Sequence, residues 1–273
     1  MIKKFVFIIN PISGKNRNPN EIKRLVAEIF ATHPSCSFQF LETKSARHAT
    51  LLVKEAILEN PYSVVAVGGD GTVNEVAQGL IGSTIPLGII PAGSGNGFAR
   101  TLGISMNQTE AIANLLIAES SLIDTAKIND EFFIGIAGVG FDGLIANQFA
   151  LATERGFFSY LKITLKNFLR YQAKTYLIYL DGERITETAY MLTLANAKQF
   201  GNNAWIAPNA DLQHGLLDLC VIYPIPIWKL LGFATKLFRK KLKNSNLIQY
   251  HFGKTIEIKS RDNEFFHIDG EPS

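Results

Sequence analysis

The residues best suited to chemistry in this sequence lie in one short stretch, VVAVGGDGTVNEVAQGL at residues 64–80. Its three clustered glycines let the backbone bend sharply and bring its amide N–H groups close to an anion. A helical pattern follows from Thr72, and the positive end of such a helix favours a phosphate at the same place. Asp70 would repel a bare phosphate, so its presence indicates either a bound cation or a proton that must be accepted.

Two other loops also combine glycine with polar side chains directly after a predicted strand. NPISGK covers residues 10–15, and PAGSGNGFAR covers residues 91–100. Alone, the Gly-Gly-Asp-Gly sequence is explained by a tight turn, but the carboxyl ends of parallel strands meet at one edge of a sheet. The three loops together predict a phosphate-binding edge. The sequence contains no GxxxxGK[ST] loop, and no GxGxxG opens a helix with an acidic residue at a suitable distance, so neither a Walker nor a Rossmann site is indicated.

The elements that must position these loops alternate between strand and helix. Short apolar runs (FVFIIN, SFQFLET, SVVAV and PLGIIP) are separated by helical patterns at residues 21–30, at residues 46–58 and from Thr72. This alternation is typical of a parallel sheet covered by helices on both faces. We therefore predict an α/β domain over residues 1–122.

The alternation of strand and helix patterns ends at about Leu122. Strand-like runs follow one another as LIDTAKI, EFFIGIAG, KTYLIYL, ERITETAYMLTLA, GLLDLCVI, KTIEIKS and FFHID. YLDGERI supplies an Asp-Gly hairpin turn, and helical patterns interrupt the strands at residues 157–171 and 227–242. The pattern predicts a second, mainly β domain over residues 123–273, arranged as a sandwich.

Composition limits the setting of the protein. The chain of 273 residues is 47% hydrophobic and 19% charged, which is typical of globular proteins. The N-terminal apolar run stops at Asn10-Pro11 and predicts a core strand, not a secretory signal, and no stretch approaches the roughly 18 apolar residues of a membrane span. Cys36 and Cys220 lack metal-ligand spacing and suggest a reducing compartment. We expect a cytoplasmic protein that associates with membranes only peripherally. A net charge of +3 is too small to indicate nucleic-acid binding.

The order of the motifs resembles that of a known family. NPISG, GGDGTVNEV and PAGSGNGFAR, followed by AGVGFD, IAPNA and a terminal DGE, resemble the diacylglycerol kinase catalytic-domain family, which includes bacterial lipid kinases and sphingosine kinases. The resemblance implies an N-terminal α/β domain with a phosphofructokinase-like parallel sheet and a C-terminal β-sandwich domain. It also implies a lipid kinase that uses ATP and Mg²⁺, with ATP between the two domains.

The resemblance also implies roles for particular residues. The positions that it places around the nucleotide are Asn10, Ser13, Gly14, Thr43, Gly68, Gly69, Asp70, Gly71, Thr72, Asn74, Glu75, Ser94 and Asn96. Two of these also have a structural explanation, because Thr43 could merely end a strand and Asn96 could merely cap the helix of GFARTLG.

Two acidic regions compete for the role of proton acceptor. In bacterial members of the family this role is assigned to the glutamate of the terminal Asp-Gly-Glu, here Asp269 to Glu271, whereas in sphingosine kinases the loop aspartate is favoured. We expect Glu271 to be the base and Asp70 to lie near the metal and the phosphates. Asp142 and Arg155 are candidates for contact with the substrate.

The sequence departs from the family pattern at two positions. Gly97 stands where many diacylglycerol kinases have an aspartate, which weakens the assignment to diacylglycerol over another lipid. In IAPNADLQHG, His214 replaces an acid that some bacterial members use for a structural magnesium. Imidazole is a poor magnesium ligand, so we expect that ion to be weakened or missing.

Both helical insertions mix large apolar residues with lysine and arginine, which suits either an anionic membrane surface or a helix docked on the sandwich. We expect a lipid substrate and a peripheral contact with an anionic membrane as partners, no nucleic acid, and leave a homodimer open. NAD kinase, which shares the fold and a Gly-Gly-Asp-Gly loop, is the main enzymatic alternative. A catalytically silent nucleotide- or lipid-binding protein is the alternative of another class.

Overall fold

The computed structural model describes residues 2–14, 18–152, 157–260 and 264–272. The chain divides into two compact units, Met1–Leu122 and Ile123–Ser273.

The first unit alternates strands with helices. Its strands are β1 (Lys3–Ile9), β2 (Cys36–Glu42), β3 (Ser63–Gly68) and β4 (Leu87–Pro91). Its helices are α1 (Pro19–Phe30), α2 (His48–Ala56), α3 (Asp70–Leu80), α4 (Gly97–Thr101) and α5 (Gln108–Ile117), with a 3₁₀ turn at Ile57–Glu59.

The four strands form a parallel sheet in the order β2-β1-β3-β4. Every residue of β3 is buried, which explains why its sequence is an unbroken apolar run and not an alternating one. α1 begins after Asn18, whose side chain caps it, and buries Ile22, Val26 and Phe30 at four-residue spacing against the sheet. The strand order reverses direction between β1 and β3, and ligands bind at such switch points in open α/β sheets.

The second unit is mainly β. Its strands are β5 (Ala126–Ile128), β6 (Glu131–Phe133), β7 (Ile136–Gly140), β8 (Lys174–Leu180), β9 (Glu183–Ala189), β10 (Met191–Ala195), β11 (Leu217–Ile222), β12 (Ile248–Gly253), β13 (Ile256–Ser260), β14 (Phe266–Ile268) and β15 (Glu271–Pro272). Its helices are α6 (Phe141–Leu151), α7 (Phe157–Phe168) and α8 (Ile227–Phe238), with a 3₁₀ turn at Leu242–Asn244.

Two antiparallel sheets of this unit share one hydrophobic core. The larger has the order β12-β11-β10-β7-β14-β15 and the smaller β13-β8-β9, and a hairpin of β5 and β6 completes the strands. Tyr176 and Ile178 of β8 pack in the same cluster as Leu219 and Val221 of β11. The predicted combination of an α/β domain with a mainly β domain is therefore confirmed.

The Asp-Gly hairpin of the sequence lies where it was predicted. Asp181 and Gly182 both have positive φ and join β8 to β9, which pair from Leu180 opposite Glu183. Positive φ at both central residues gives the turn a twist that matches the strands.

α8 packs on the outer face of the larger sheet through Phe233, in a cluster with Cys220 and Ile222 of β11. No helix among the described residues combines the length and the hydropathy that a membrane-spanning segment requires.

Candidate functional site

The three glycine-bearing loops of the first unit meet at the carboxyl edge of its parallel sheet. The Asn10 amide N–H donates to the Val67 carbonyl over 3.0 Å, and the Ala92 N–H donates to the Gly68 carbonyl over 2.8 Å. The Asn10 side chain then crosses the switch point between β1 and β3, where its Nδ2 donates to Thr72 Oγ1 over 3.0 Å. The sequence prediction that these loops converge agrees with this arrangement, as far as residues 10–14 are described.

Glycine is required because the loops touch backbone to backbone. A β-carbon at Gly93 would lie 2.4 Å from the Cα of Gly69, and one at Gly14 would lie 2.0 Å from the Ala92 carbonyl oxygen. Gly14 also has a φ of +80°, which side-chain-bearing residues rarely adopt. Any larger residue would push the loops apart, so the glycines keep a narrow edge lined by main chain.

Asp70 joins two of these loops. Its Oδ1 accepts the Phe98 N–H over 3.1 Å, so the carboxylate reaches from the first residue of α3 to the start of α4. Burial raises the pKa of Asp70 above its ordinary value, although hydrogen bonds from backbone amides of residues 96–98 and of Asp70 itself oppose this shift. The loop glycine Gly71 follows in the first turn of α3.

The other predicted contacts at this edge differ in their surroundings. Thr43 follows β2 directly and is buried, with its N–H donating to the Ile9 carbonyl over 2.9 Å. Asn96 has a φ of 52° and no capping hydrogen bond to α4; its side chain instead bonds the backbone N–H and C=O of Gly93. Ser94 is exposed and Ser13 half-buried. The amide of Asn96 therefore holds the third loop closed.

Glu75 lies elsewhere. Its carboxylate accepts the N–H groups of Arg47 at 2.9 Å and Ala49 at 3.1 Å, at the start of α2. Both oxygens are thus used to satisfy the amide groups that a helix end leaves without partners. The structure places Glu75 in the contact between α2 and α3 and not among the glycine-bearing loops. Asn74, one residue earlier, is buried, and its Oδ1 has no hydrogen-bond partner among the described residues.

The terminal Asp-Gly-Glu forms the turn between β14 and β15 in the second unit. Asp269 Oδ1 accepts the N–H groups of Gly135 at 2.9 Å and Ile136 at 2.8 Å, and its Oδ2 accepts that of Ile134 at 3.3 Å. These three bonds fix the segment between β6 and β7, so the contacts of Asp269 are structural. Glu271, in contrast, is exposed in β15.

Asp142 is buried beneath the same turn. It lies in the first turn of α6, and its Oδ2 is 3.0 Å from His267 Nε2 as an ion pair, at angles outside those of a hydrogen bond. The Gly270 N–H donates to the other ring nitrogen of His267, Nδ1, over 3.2 Å. The structure therefore places Asp142 in an internal contact. Arg155, the second predicted substrate residue, lies outside the described residues.

Burial and neighbouring charges shift the pKa of His267 in opposite directions. Burial lowers the pKa of the ring, but the charge of Asp142, 3.0 Å away, helped by the charge of Asp269, raises it; the pKa stands above its ordinary value as a result. Sequence reasoning did not single out His267. Its position two residues before Asp269, on a strand otherwise made of apolar residues, was the available signal.

Two places in the chain are candidates for the magnesium that the resemblance implies. The phosphates of a bound nucleotide supply most of the ligands of its Mg²⁺, so one carboxylate such as Asp70 is a sufficient protein contribution. At the second place, His214 Nε2 lies 3.8 Å from Asp218 Oδ2, and burial raises the pKa of Asp218 to about 6, with the nearby His214 opposing the shift. One imidazole and one protonatable buried acid do not suit magnesium. Within the described parts of the chain, no group of three or more His, Cys, Asp or Glu side chains could hold a metal ion.

Comparison with known families accounts for nearly the whole chain. Residues 4–128 match the diacylglycerol kinase catalytic domain, and residues 135–273 match the YegS C-terminal NAD kinase beta sandwich-like domain. The chain therefore belongs to the diacylglycerol kinase family of lipid kinases, and its activity is that of a kinase. The description of the second match shows that the sandwich alone does not distinguish lipid kinases from NAD kinases.

Individual relatives are similar over most of their length. A diacylglycerol kinase of Mycobacterium tuberculosis is 28% identical, over 94% of this chain and 85% of its own. A protein of Chromohalobacter salexigens named "Probable lipid kinase YegS-like" is 30% identical, over 81% of this chain and 73% of its own.

Solved structures agree with this fold. Two crystal structures of Bacillus anthracis proteins align with TM-scores of 0.82 and 0.74, at 26% and 25% identity. Each alignment covers 98% of this chain, and they cover 90% and 89% of the other chains. The second of these is described as a diacylglycerol kinase.

Proposed function

We propose that this kinase transfers the γ-phosphate of ATP, with Mg²⁺, to the hydroxyl group of a diacylglycerol-like or sphingoid lipid. The observation that carries the proposal is the meeting of three glycine loops around Asp70 at the switch point of the parallel sheet. Phosphoryl transfer depends chiefly on positioning and on neutralising charge, and these loops offer backbone donors and one carboxylate for both tasks.

Each group has a defined task in this proposal. The main-chain N–H groups of the loops and the side chain of Thr72 bind the phosphates, and Asp70 holds the magnesium ion. That ion, when bound, neutralises charge on the phosphates. The hydroxyl oxygen of the lipid forms the new bond to the γ-phosphorus while the bond to the ADP oxygen breaks, and Glu271 accepts the hydroxyl proton.

Glu271 suits the role of base better than Asp269 does. The oxygens of Asp269 are occupied by three backbone N–H groups, whereas the carboxylate of Glu271 is exposed two residues further along the same turn. A base must be free to hydrogen-bond the substrate hydroxyl. Asp269 and His267 then serve to hold the turn from which Glu271 extends.

The test is a phosphotransfer assay on the purified full chain. The protein is incubated with labelled ATP, Mg²⁺ and an extracted lipid mixture, and labelled products are identified by mass spectrometry. We expect a phosphorylated lipid, and we expect Glu271→Gln to lower kcat by about 10²- to 10⁴-fold with little change in KM. Glu183→Gln, at an exposed glutamate of the β8–β9 hairpin, is the matched control and retains activity.

Two results would contradict the proposal. Labelling of NAD without labelling of any lipid would identify a NAD kinase. Binding of ATP with no phosphate transfer to lipid or NAD would identify a silent binding protein.

A further inference from the structure

α8 carries an exposed apolar stripe. Trp228 and Leu231 expose 79% and 80% of their surface, and Ile227 and Phe238 expose 54% and 43%. Residues 228, 231, 235 and 238 are spaced by three or four positions and therefore share one face of the helix. Three of the four are large and apolar, and the fourth is Thr235.

This stripe is distinct from the face that docks α8 on the sandwich. Phe233 is 8% exposed and packs with Leu237 in the cluster that covers the larger sheet, and Leu230 packs in a second cluster with Phe141. The core therefore already holds one face of the helix. The exposed stripe is additional, and contiguous exposed apolar surface of this kind marks an interaction site.

The charge beside the stripe has one sign. From Leu219 to Thr255 the sequence contains no aspartate or glutamate. The basic residues on and directly after α8 are Lys229, Lys236, Arg239, Lys240, Lys241 and Lys243. All of them except the half-buried Lys236 are exposed. We call this group, together with Ile227, Trp228, Leu231 and Phe238, the α8 surface.

We propose that the α8 surface binds the face of an anionic phospholipid bilayer. The apolar stripe enters the boundary between head groups and acyl chains, Trp228 lies at head-group depth, and the lysines contact lipid phosphates. A second copy of this chain fits less well, because two surfaces with the same concentrated positive charge repel each other. The inference rests on α8 alone and does not depend on the proposed function.

The first test uses the two tryptophans of the chain, Trp205 and Trp228. Vesicles are prepared with brominated acyl chains, either from equal parts of phosphatidylglycerol and phosphatidylcholine or from phosphatidylcholine alone. We expect the anionic vesicles to quench the fluorescence of the wild type and of Trp205→Phe, and to quench that of Trp228→Phe only weakly. Equal quenching of Trp228→Phe and Trp205→Phe would overturn the proposal.

The second test measures binding by co-sedimentation with the anionic vesicles. Leu231→Gln should lower the partition constant by about tenfold, because it replaces an apolar side chain that enters the bilayer. Leu58→Gln is the matched control, since Leu58 is 84% exposed in the first unit, and it should bind like the wild type. Circular dichroism verifies that both variants are folded.

Sedimentation velocity without vesicles tests whether a second copy of the chain, and not a membrane, covers the α8 surface. If Leu231→Gln alters the sedimentation coefficient and leaves vesicle binding unchanged, the α8 surface joins two copies of the chain and the proposal is wrong. Phosphorylation of a short-chain lipid in detergent reports the proposed function separately, and Leu231→Gln should leave it unchanged.

Discussion

At the scale of single residues, Asp70 makes a structural contact and has a proposed chemical task. Its Oδ1 accepts the Phe98 N–H and so joins the second loop to the third, while burial raises its pKa. Burial therefore disfavours the ionised form of Asp70, and perturbed pKa values of this kind are common among functional carboxylates.

Replacement by asparagine separates the two tasks. Asp70→Asn keeps an oxygen that can accept the Phe98 N–H but removes the charge, so we expect kinase activity to fall by about 10²-fold or more while the melting temperature is retained. Asp70→Ala removes the acceptor as well and should also lower the free energy of unfolding by about 1–3 kcal/mol. Activity and thermal unfolding of both variants check this; equal stability of the two would contradict the structural part.

Substitutions at Asp269 and Glu271 should differ in their effect on stability. Asp269→Asn replaces one of two accepting oxygens with a donor that faces N–H groups, and we expect it to lower the free energy of unfolding by about 1–3 kcal/mol. Glu271→Gln, at an exposed position, should leave stability within about 0.5 kcal/mol of the wild type. Urea unfolding of the two variants measures the contrast, and a destabilised Glu271→Gln would show that Glu271 also has a structural role.

At the scale of elements, the close approach of the loops makes glycine a steric requirement. Gly93→Ala should separate the second and third loops, because its β-carbon would lie 2.4 Å from the Cα of Gly69. We expect a loss of ATP binding of about tenfold or more, measured by titration calorimetry.

A matched substitution controls for the change in backbone entropy. Gly232→Ala lies inside α8, where a β-carbon meets no atom within 4 Å, and should raise the free energy of unfolding by about 0.5–1 kcal/mol. Unchanged ATP binding in Gly93→Ala would show that the three loops do not form the nucleotide site.

The contact between α6 and β14 should depend on pH. The pKa of His267 is raised in the folded protein, so its attraction to Asp142 contributes fully below the ordinary histidine value of about 6.5 and is lost as pH rises through the folded pKa. Protonation of Nδ1 gives up the hydrogen bond from the Gly270 N–H, which offsets part of this gain. The difference in melting temperature between the wild type and His267→Gln should therefore be largest at acidic pH and shrink in alkaline buffer. A difference that grows with pH would show that the ring is neutral in the folded protein.

Much of the element order could be predicted from periodicity. KTYLIYL predicts β8 to the residue, and α1 begins two residues before the predicted helix at residues 21–30. EFFIGIAG was predicted as one strand, but the amides of residues 134–136 bond Asp269 and divide it into β6 and β7. IQYHFG was not predicted, because polar and aromatic residues mask the alternation of β12.

Predictability of the candidate site differs between backbone and side chains. Glycines and strand ends indicated which loops should meet, because parallel strands end at one edge. The partner of a carboxylate cannot be inferred from local pattern, since Glu75 bonds amides 26 and 28 residues away and Asp142 meets His267 through tertiary packing. Long-range contacts of this kind leave no periodic signal in the sequence.

At the scale of the whole molecule, charge is nearly balanced, with 27 basic and 24 acidic residues. General attraction to an anionic membrane is therefore weak, and in our proposal the α8 surface supplies the contact. Raising the salt concentration from about 0.1 M to 1 M shortens the Debye length from about 10 Å to 3 Å and should weaken binding to phosphatidylglycerol vesicles without abolishing it, because the apolar stripe is insensitive to screening. Co-sedimentation across this range measures the effect, and complete release would indicate contact through charge alone.

The bonds from Asp269 to residues 134–136 span 133 to 135 positions of sequence, and β14 pairs with the inner strand β7. A nascent chain leaves the ribosome from its N-terminus, so the parallel sheet can assemble from β1 to β4 early in translation. The larger sheet stays incomplete until β14 and β15 at residues 266–272 have emerged, because its inner strand β7 pairs with β14, which is synthesised much later. Distant pairings of this kind fold slowly, and we infer that the second unit spends longest exposed to aggregation and to chaperones.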